Sequence, residues 1–494
     1  MNNKIKNIIL VLGISFIYSS CETVDFGDVN NNPNGPTAAV TSQLLTQAQK
    51  RVGGFDDNDG NSINGIATNM QGILFTQQLT EGQYPGDSRY STLTRSYNDF
   101  FTGAIQNLNR IIELNEDAAT IATAAQFGDN ANQIATAKIL RGYILHYMTD
   151  KWGGLPYTEG FQGIDNPQPA FDTQEEIYNI IFADLESAMS AIDPSKTGPH
   201  GDVMFSGDMN KWWLFANSLK MTMALRISDV SPALAKSKFE EVIASGVYIS
   251  TNAQNLEYTY GTTDVDDSVW HDRWKEREDY VLSVTMMETL RSNLDPRLFK
   301  YAEPATAGTA TNPMFPGNTD AKYVGAPNGT VNGNVPDYSF PTATIIYDVD
   351  YPTPLYTAAQ MKFAMAEAAV KGWNVGGTAA TVLYEEGIAA SMDYWGVDAA
   401  DKTAYIAAHP WTSMNDIAYQ KWIALYLNGW EAWAEWRRFD YPVLVPSTNA
   451  GDPRIPVRDS YDSSVQDNNP TNYTAIITAQ GADDNHTKLW WDVN

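Results

Sequence analysis

The chain has very little cysteine and histidine, which restricts the chemistry it can perform. Cys21 is the only cysteine among 494 residues, so no internal disulfide can form and no zinc site built on thiolates is expected. No histidine pair has metal-ligand spacing; the five histidines are His146, His200, His271, His409 and His486. His146 lies among apolar residues of a predicted helix and is expected in the core. The sequence contains neither a Gly-x-Ser-x-Gly turn nor a phosphate-binding loop.

Positive charge is also scarce. The chain has 32 Lys and Arg against 59 Asp and Glu, a formal net charge of −27. It contains no run of five basic residues, and so acidic a surface repels nucleic acid and anionic lipid headgroups. We therefore expect no nucleic-acid partner. The charge balance is compatible with a neutral ligand or with divalent cations.

Long apolar runs are missing after Cys21, so no membrane-spanning helix is predicted there. The one concentrated apolar stretch, Ile8–Tyr18, is 11 residues long, whereas a span needs about 20. It follows a short segment with two lysines and precedes Ser19, Ser20 and Cys21. A basic start, a short apolar core and small residues before a cysteine are typical of a bacterial lipoprotein signal. The sequence therefore predicts a signal peptide over 1–20.

Cys21 would then carry acyl chains at the new amino terminus. One chain holds a protein to a membrane only marginally, whereas two or more hold it stably. The alternative is a secreted protein with an unpaired cysteine. Residues 21–37 are rich in Asn, Pro and Gly and are predicted to form a flexible tether.

Residues 38–494 are predicted to form a single, mostly α-helical body. Helical portions are expected at about 38–250 and 356–440, and a loop-rich lobe with a few short β-strands at about 250–355 and 443–494. The predicted helices span about 38–51, 61–80, 90–115, 131–150, 174–191, 208–228, 234–245, 281–291, 356–371, 378–395 and 413–438. Short strands are expected at Glu257–Tyr260 and Thr342–Ile346.

The helices tend to pair through short turns. The segments 358–373 and 379–396 carry small residues, including Ala364, Ala368 and Ala389, between aromatic ones. This pattern suits close helix packing and is similar to a degenerate tetratricopeptide-type hairpin, although no clean 34-residue period runs through the chain. Unrelated helical hairpins are the alternative.

Aromatic residues make up 12% of the chain, and some lie in polar, Gly-rich segments. Flat rings beside hydrogen-bonding side chains are the chemistry that binds sugars. The candidate ligand-binding residues are Tyr84, Tyr90, Trp270, Asp272, Arg273, Trp274 and Tyr323. At helical spacing Trp270 and Trp274 would share a face, and the charges around them argue against deep burial. The alternative is that these rings are ordinary loop aromatics covering the edge of the core.

Two acidic stretches, Phe55–Asn61 and Thr263–Ser268, offer clustered carboxylates. Calcium prefers several oxygen ligands in flexible loops, but neither stretch has EF-hand spacing. Solvated loops are the favoured interpretation, and one structural calcium is the alternative. No other cofactor is predicted.

The densest cluster of charged and aromatic residues lies at 430–440. Glu431 and Glu435 share a helical face, and a glycosidase needs two carboxylates about 5–9 Å apart. Arg438, however, lies three residues after Glu435 and seven after Glu431. Ion pairing along that face is therefore the favoured interpretation, with the tryptophans packed between helices and no catalytic role.

Several segments, in order along almost the whole chain after Cys21, resemble the SusD/RagB family, in particular its SusD-like branch with a Trp-Trp-Asp tail. They are AKILRGYILHYMTDKWGGLPY (137–157), ANSLKMTMALRIS (216–228), LDPRLFKYAEP (294–304), the helix pair described above, WIALYLNGWEAWAEWRRFDYP (422–442), DPRIPVRDSY (452–461) and TKLWWD (487–492).

This resemblance implies four degenerate tetratricopeptide units packed against an irregular lobe. It also implies a non-catalytic lipoprotein on the outer face of a Gram-negative outer membrane, anchored through acylated Cys21. Its partner would be a SusC-like TonB-dependent barrel, to which it delivers captured glycan; a peptide ligand is the alternative within the same system. Two other hypotheses are a lipid-anchored glycoside hydrolase and a helical scaffold that binds only protein.

Overall fold

The computed structural model describes residues 40–56, 60–61, 65–91, 96–306, 322–331, 335–447 and 449–494. The predicted signal peptide, Cys21 and the 21–37 tether lie outside the described residues. The protein is mostly α-helical with a few short strands, as predicted. None of the helices in the described part has the length and apolar character that crossing a bilayer requires.

Twenty α-helices and six strands are described. The helices are α1 (Thr41–Gly53), α2 (Met70–Phe75), α3 (Asn98–Phe100), α4 (Gln106–Glu116), α5 (Ile121–Ala124), α6 (Asn130–Trp152), α7 (Gln174–Ala191), α8 (Met209–Arg226), α9 (Pro232–Ser245), α10 (Val269–Glu276), α11 (Val284–Ser292), α12 (Leu298–Tyr301), α13 (Ala343–Tyr347), α14 (Ala358–Val370), α15 (Ala380–Tyr394), α16 (Ala399–Ala408), α17 (Met414–Ala424), α18 (Gly429–Phe439), α19 (Ser463–Asn468) and α20 (Pro470–Gln480). The strands are β1 (Phe55–Asp56), β2 (Gly60–Asn61), β3 (Leu79–Glu81), β4 (Leu256–Tyr258), β5 (Tyr280–Leu282) and β6 (Thr353–Tyr356).

Local sequence signals explain where the main helices begin. Asp129 caps α6 by accepting hydrogen bonds from the backbone of residues 131 and 132, and Thr173 forms a capping box with Glu176 at the start of α7. α6 is buried on nearly all sides, since its neighbours α4, α7 and α8 pack around it. His146 is fully buried there, with its Nε2 atom 3.1 Å from the Tyr178 hydroxyl, which confirms it as a core residue.

The predicted helical pair is α14 and α15, and the two helices pack against each other. Lys362 of α14 forms an ion pair of 2.7 Å with Glu386 of α15. A Cβ added to Gly387 would lie 2.6 Å from the Phe363 ring, so the absent side chain at this position permits the close approach. This packing confirms the pairing predicted from the small residues.

Several predicted boundaries are wrong. The 61–80 helix shrinks to α2 followed by β3, because Gln77 adopts a positive φ of 55° just after it. The 413–438 helix is two helices separated at residues 425–428, where Leu427 has a φ of 70°. Thr342–Ile346 is not a strand, since α13 occupies it, and the predicted loop-rich carboxyl-terminal segment contains α19 and α20.

Within the described residues the strands form three two-stranded antiparallel sheets: β1 with β2, β3 with β5 and β4 with β6. The pairing of β3 with β5 joins residues 200 positions apart in sequence, matching Leu79 with Leu282 and Glu81 with Tyr280. These short ladders fix the chain segments between the helices and, at the end of β3, position the candidate site.

Candidate ligand-binding site

Pairing of β3 with β5 brings the turn after Glu81 beside the segment that precedes Tyr280. The ladder continues one step beyond β3, where the Gly82 amide donates to the Asp279 carbonyl at 2.8 Å. The side chains at 83–84 and 277–279 therefore leave the sheet at the same end. A Cβ at Gly82 would lie 2.9 Å from Val335, so a third segment closes against this turn.

An open depression of about 410 Å³ lies at this end of the sheet. Its lining residues are Gln83, Tyr84, Arg277, Glu278, Asp279, Val335 and Pro336; we call it the Tyr84 depression. The Tyr84 side chain is 61% exposed, and the Arg277 guanidinium carbon lies 4.9 Å from the centroid of its ring. Arg277 is itself held by Asp279, with 3.0 Å between Nε and Oδ2. The depression thus presents an exposed ring next to a charged hydrogen-bond donor.

A second exposed ring stands beside this depression. Tyr347 of α13 is 54% exposed and donates a hydrogen bond of 3.2 Å to Glu278 Oε1. Partial burial raises the pKa of the Tyr347 hydroxyl, and the Glu278 carboxylate adds to the rise. Tyr84 and Tyr347 therefore both contact the residues that line the depression at the end of the β3–β5 sheet.

Hydrogen bonds hold the turn that carries Tyr84. Glu81 accepts a bond of 2.9 Å from the Ser88 amide, and the Glu81 amide donates to Ser88 Oγ at 3.0 Å. Burial raises the pKa of Glu81 to about 7, and the nearby Asp87 carboxylate adds to the rise. Arg89 donates to the Gly329 carbonyl at 2.6 Å. These contacts fix the turn independently of any ligand.

Trp270 and Trp274 share a face of α10, as their spacing predicts, but that face is buried. Their exposed fractions are 0% and 3%, so the expected exposure is wrong. Trp274 packs on Trp270 and on Tyr280, with ring centroids 5.8 Å apart in each pair. Charged residues around them form ion pairs, and this highly charged helix still buries both indoles.

The charged neighbours of these tryptophans form ion pairs. Asp272 Oδ1 lies 2.7 Å from Lys275 Nζ, and Arg273 pairs with Asp279 and lies 5.5 Å from the Tyr280 centroid. Arg273 and Arg277 therefore both pair with Asp279, which lines the Tyr84 depression.

Tyr90 and Tyr323 are both buried. Tyr90 is 5% exposed, has a φ of 62° and packs 5.5 Å from Phe75. Tyr323 is 6% exposed and packs 5.3 Å from Phe299. Of the seven predicted ligand residues, Tyr84 lies at the sheet end, and Trp270, Asp272, Arg273 and Trp274 lie on the adjoining helix α10. Tyr84 is the exposed ring among them.

Two aspartates of the second acidic stretch and Asp272 of α10 bring their carboxylates close together. One carboxylate oxygen from each of Asp264, Asp267 and Asp272 lies within 4.8 Å of the others. The Lys275 ammonium already lies among them, at 2.5, 3.1 and 2.7 Å respectively. These hydrogen bonds outweigh desolvation and raise the pKa of Lys275 well above its ordinary value. A cation of the protein itself thus takes the place that calcium would need. The first stretch, Phe55–Asn61, lies outside the described side chains.

Glu431 and Glu435 do not face a cleft. They are 3% and 4% exposed. Glu431 pairs with Arg226 of α8 at 2.9 Å rather than with its own helix, whereas Glu435 pairs with Arg438 at 2.8 Å as predicted. Burial would raise the pKa of Glu435, but Arg438, Lys421 and Arg226 hold it below its ordinary value. Glu435 therefore lacks the raised pKa that the acid of a glycosidase needs.

Sequence reasoning missed Arg277 and Tyr347. Arg277 follows α10 directly and belongs to the same charged segment as Trp274. Only the β3–β5 pairing, which is non-local, places it over Tyr84. Tyr347 directly follows the strand expected at Thr342–Ile346, whereas the structure makes it the last residue of α13. No local sequence signal indicated that its ring is exposed.

Comparison with known proteins agrees with this fold. Residues 33–462 match the family model SusD-like_2, described as starch-binding and associating with the outer membrane. The chain therefore belongs to the SusD-like family, which confirms the resemblance. None of the curated proteins matches it.

Solved structures of SusD homologues share the architecture. A chitin-binding SusD homologue from Flavobacterium johnsoniae is 22% identical with a TM-score of 0.73, over 92% of this chain and 99% of that one. A SusD homologue from Bacteroides vulgatus is 22% identical with a TM-score of 0.76, over 92% and 98%. A chitin-binding protein is 24% identical with a TM-score of 0.75, over 92% and 100%.

Proposed function

We propose that this protein is a cell-surface lipoprotein that captures oligosaccharides without cleaving them and delivers them to a SusC-like TonB-dependent barrel. The observation that carries the proposal is the Tyr84 depression, in a chain of the SusD-like family. The family description names starch, and two structural neighbours are named as chitin-binding. These names support a glycan as the ligand class.

The chemistry of the depression suits a sugar. An exposed ring stacks on the apolar face of a sugar, while Arg277, Gln83 and Glu278 supply donors and acceptors for its hydroxyls. Stacking that buries about 50–80 Å² contributes roughly 1–2 kcal/mol. Because association entropy opposes binding, several such contacts are needed even for a millimolar site. Tyr347 provides a further ring within reach of an extended ligand.

Delivery follows from the anchor and the partner that the family implies. Acyl chains on Cys21 would hold the body at the outer membrane through the 21–37 tether, and the barrel would receive ligand when the body closes over it. Since such a lid opens repeatedly, we expect a large and mostly polar interface. Mass spectrometry of the native protein should find Cys21 acylated, and membrane extraction in mild detergent should recover the barrel with it.

The test of the binding site uses the purified full-length chain and a panel of soluble oligosaccharides, including maltoheptaose and chitohexaose. Tyr84→Ala should weaken the best ligand about tenfold, because the stacking area is lost. Tyr84→Phe keeps the ring and should stay within about threefold of the wild type. Val382→Ala, a truncation of another exposed side chain on α15, serves as the surface control.

Three results would contradict the proposal. Wild-type affinity in Tyr84→Ala would remove Tyr84 from the site. Binding of peptides with no binding of any glycan would favour the peptide alternative. Release of reducing ends during incubation would favour a hydrolase.

A further inference from the structure

A second depression, of about 380 Å³, lies between α4 and the loop that follows the Gly153–Pro156 turn. It shares no lining residue with the Tyr84 depression. Its principal lining residues are Thr102, Gln106, Asn107, Arg110, Glu113 and Phe161; we call it the Phe161 depression. Its volume falls in the range of about 300–1,000 Å³ usual for small-molecule sites.

Phe161 provides an aromatic platform at this depression. Its side chain is 37% exposed, although a phenyl ring has no polar atom to favour a position in water. The ring packs 5.5 Å from Phe101 and 6.0 Å from Tyr157, at interplanar angles of 47° and 78°. Two aromatic neighbours thus support the ring from within the protein while leaving part of it in solvent.

The loop that carries Phe161 is held by two carboxylates. Asp172 Oδ2 accepts from the amides of Tyr157 and Thr158, at 3.0 and 2.7 Å. Glu159 Oε2 accepts from the Asn166 side chain and the Ala170 amide, both at 2.9 Å. The Ala170 and Asn166 hydrogen bonds lower the pKa of Glu159, which favours the ionised, bonded form of that carboxylate. The platform is preorganised, which reduces the entropy lost on binding.

The opposite wall is polar and carries no net charge. Arg110 pairs with Glu113 at 2.9 Å, and both side chains are at least half exposed. Gln106 is exposed on the same helix, and within the described residues its side-chain amide makes no hydrogen bond. Residues 101–105 form a π-helical turn, a distortion found frequently at functional sites.

We propose that the Phe161 depression is a second carbohydrate-binding site, which takes an uncharged sugar ring stacked on Phe161 with its hydroxyls bonded to the α4 side chains. An exposed ring, the Gln106 side-chain amide and an ion pair without net charge suit a neutral polyol better than an anion or an apolar ligand. This proposal rests on the proposed glycan-binding function. Two separate contacts would let one chain hold a polymeric glycan more tightly than a short fragment.

The test removes the two sites separately and together in the purified full-length chain. Calorimetric titration with the tightest-binding oligosaccharide of the panel should show weak residual binding in Tyr84→Ala. That residual binding should weaken tenfold or more in Tyr84→Ala/Phe161→Ala and return in Tyr84→Ala/Phe161→Tyr, which keeps a ring. Retention on the matching insoluble polysaccharide should fall in Phe161→Ala alone, while the thermal unfolding temperature stays within a few degrees because the ring is partly exposed.

The outcomes separate this proposal from the main one. Loss of all binding in Tyr84→Ala, with wild-type retention of polymer in Phe161→Ala, would overturn the second site and leave the proposed function standing. Equal residual binding with and without the Phe161 ring would also overturn it. No glycan binding by the wild type would overturn both.

Discussion

Ionisation of Glu81 is expected to destabilise the protein as the pH rises through neutrality. Glu81 ends β3 and is 9% exposed, and its burial raises the pKa to about 7 from an ordinary value of 4.5. A raised pKa means that the folded state keeps a proton that the unfolded state has released. The stability is therefore fully present below about pH 4.5 and is lost as the pH rises through 7.

The size of this effect follows from proton linkage. With pKa values of 4.5 and about 7, the free energy of unfolding should fall by about 2.5 kcal/mol between pH 5 and pH 8. Glu81→Gln cannot ionise, and its amide oxygen can still accept from the Ser88 amide. The stability of this variant relative to the wild type should therefore grow by the same amount, about 2.5 kcal/mol, over this interval. Asp492, whose pKa burial raises to about 6, titrates in both proteins and cancels.

The assay is urea unfolding followed by tryptophan fluorescence at pH 5, 6, 7 and 8, for the wild type and Glu81→Gln. The difference between the two curves should open mainly between pH 5 and 7 and level off by pH 8. Parallel pH profiles would refute the reasoning, because they would mean that Glu81 has the same pKa in both states.

Two further predictions concern other paired charges. Glu367→Ala should lower the free energy of unfolding by about 3–5 kcal/mol, because Lys421 and Arg438 would be left buried without this carboxylate; a loss below about 1 kcal/mol in denaturant titration would contradict the ion-pair network. Lys275→Met should remove the ammonium group that lies among Asp264, Asp267 and Asp272. Millimolar calcium should then raise the melting temperature of the variant and not that of the wild type. An equal calcium response in both proteins would show that Lys275 does not fill the site.

Helix positions followed from sequence where local signals were strong. The helix predicted at 174–191 and the pair predicted from small residues are confirmed as α7 and as α14 with α15. The boundaries of the predicted helices 61–80 and 413–438 were wrong because tertiary contacts determine the backbone conformation there. Gln77 and Leu427 adopt positive φ values that no residue type signals, since glycine, the usual occupant of that region, is absent there.

The candidate site was only partly predictable. Tyr84 was found because an aromatic residue in a polar, Gly-rich turn has little core to join. Trp270 and Trp274 were misjudged because sequence spacing places them on one face but does not say which way that face points. Arg277 reaches Tyr84 only through a ladder between strands 200 residues apart, and such pairing leaves no trace in local composition.

The most direct test of the account is a crystal structure of the protein with its tightest-binding oligosaccharide. We expect an intact sugar chain with one ring against the open face of Tyr84 and hydroxyl groups within hydrogen-bond distance of Arg277. A bound sugar that leaves Tyr84 and Arg277 in solvent would contradict the account, and so would a cleaved product.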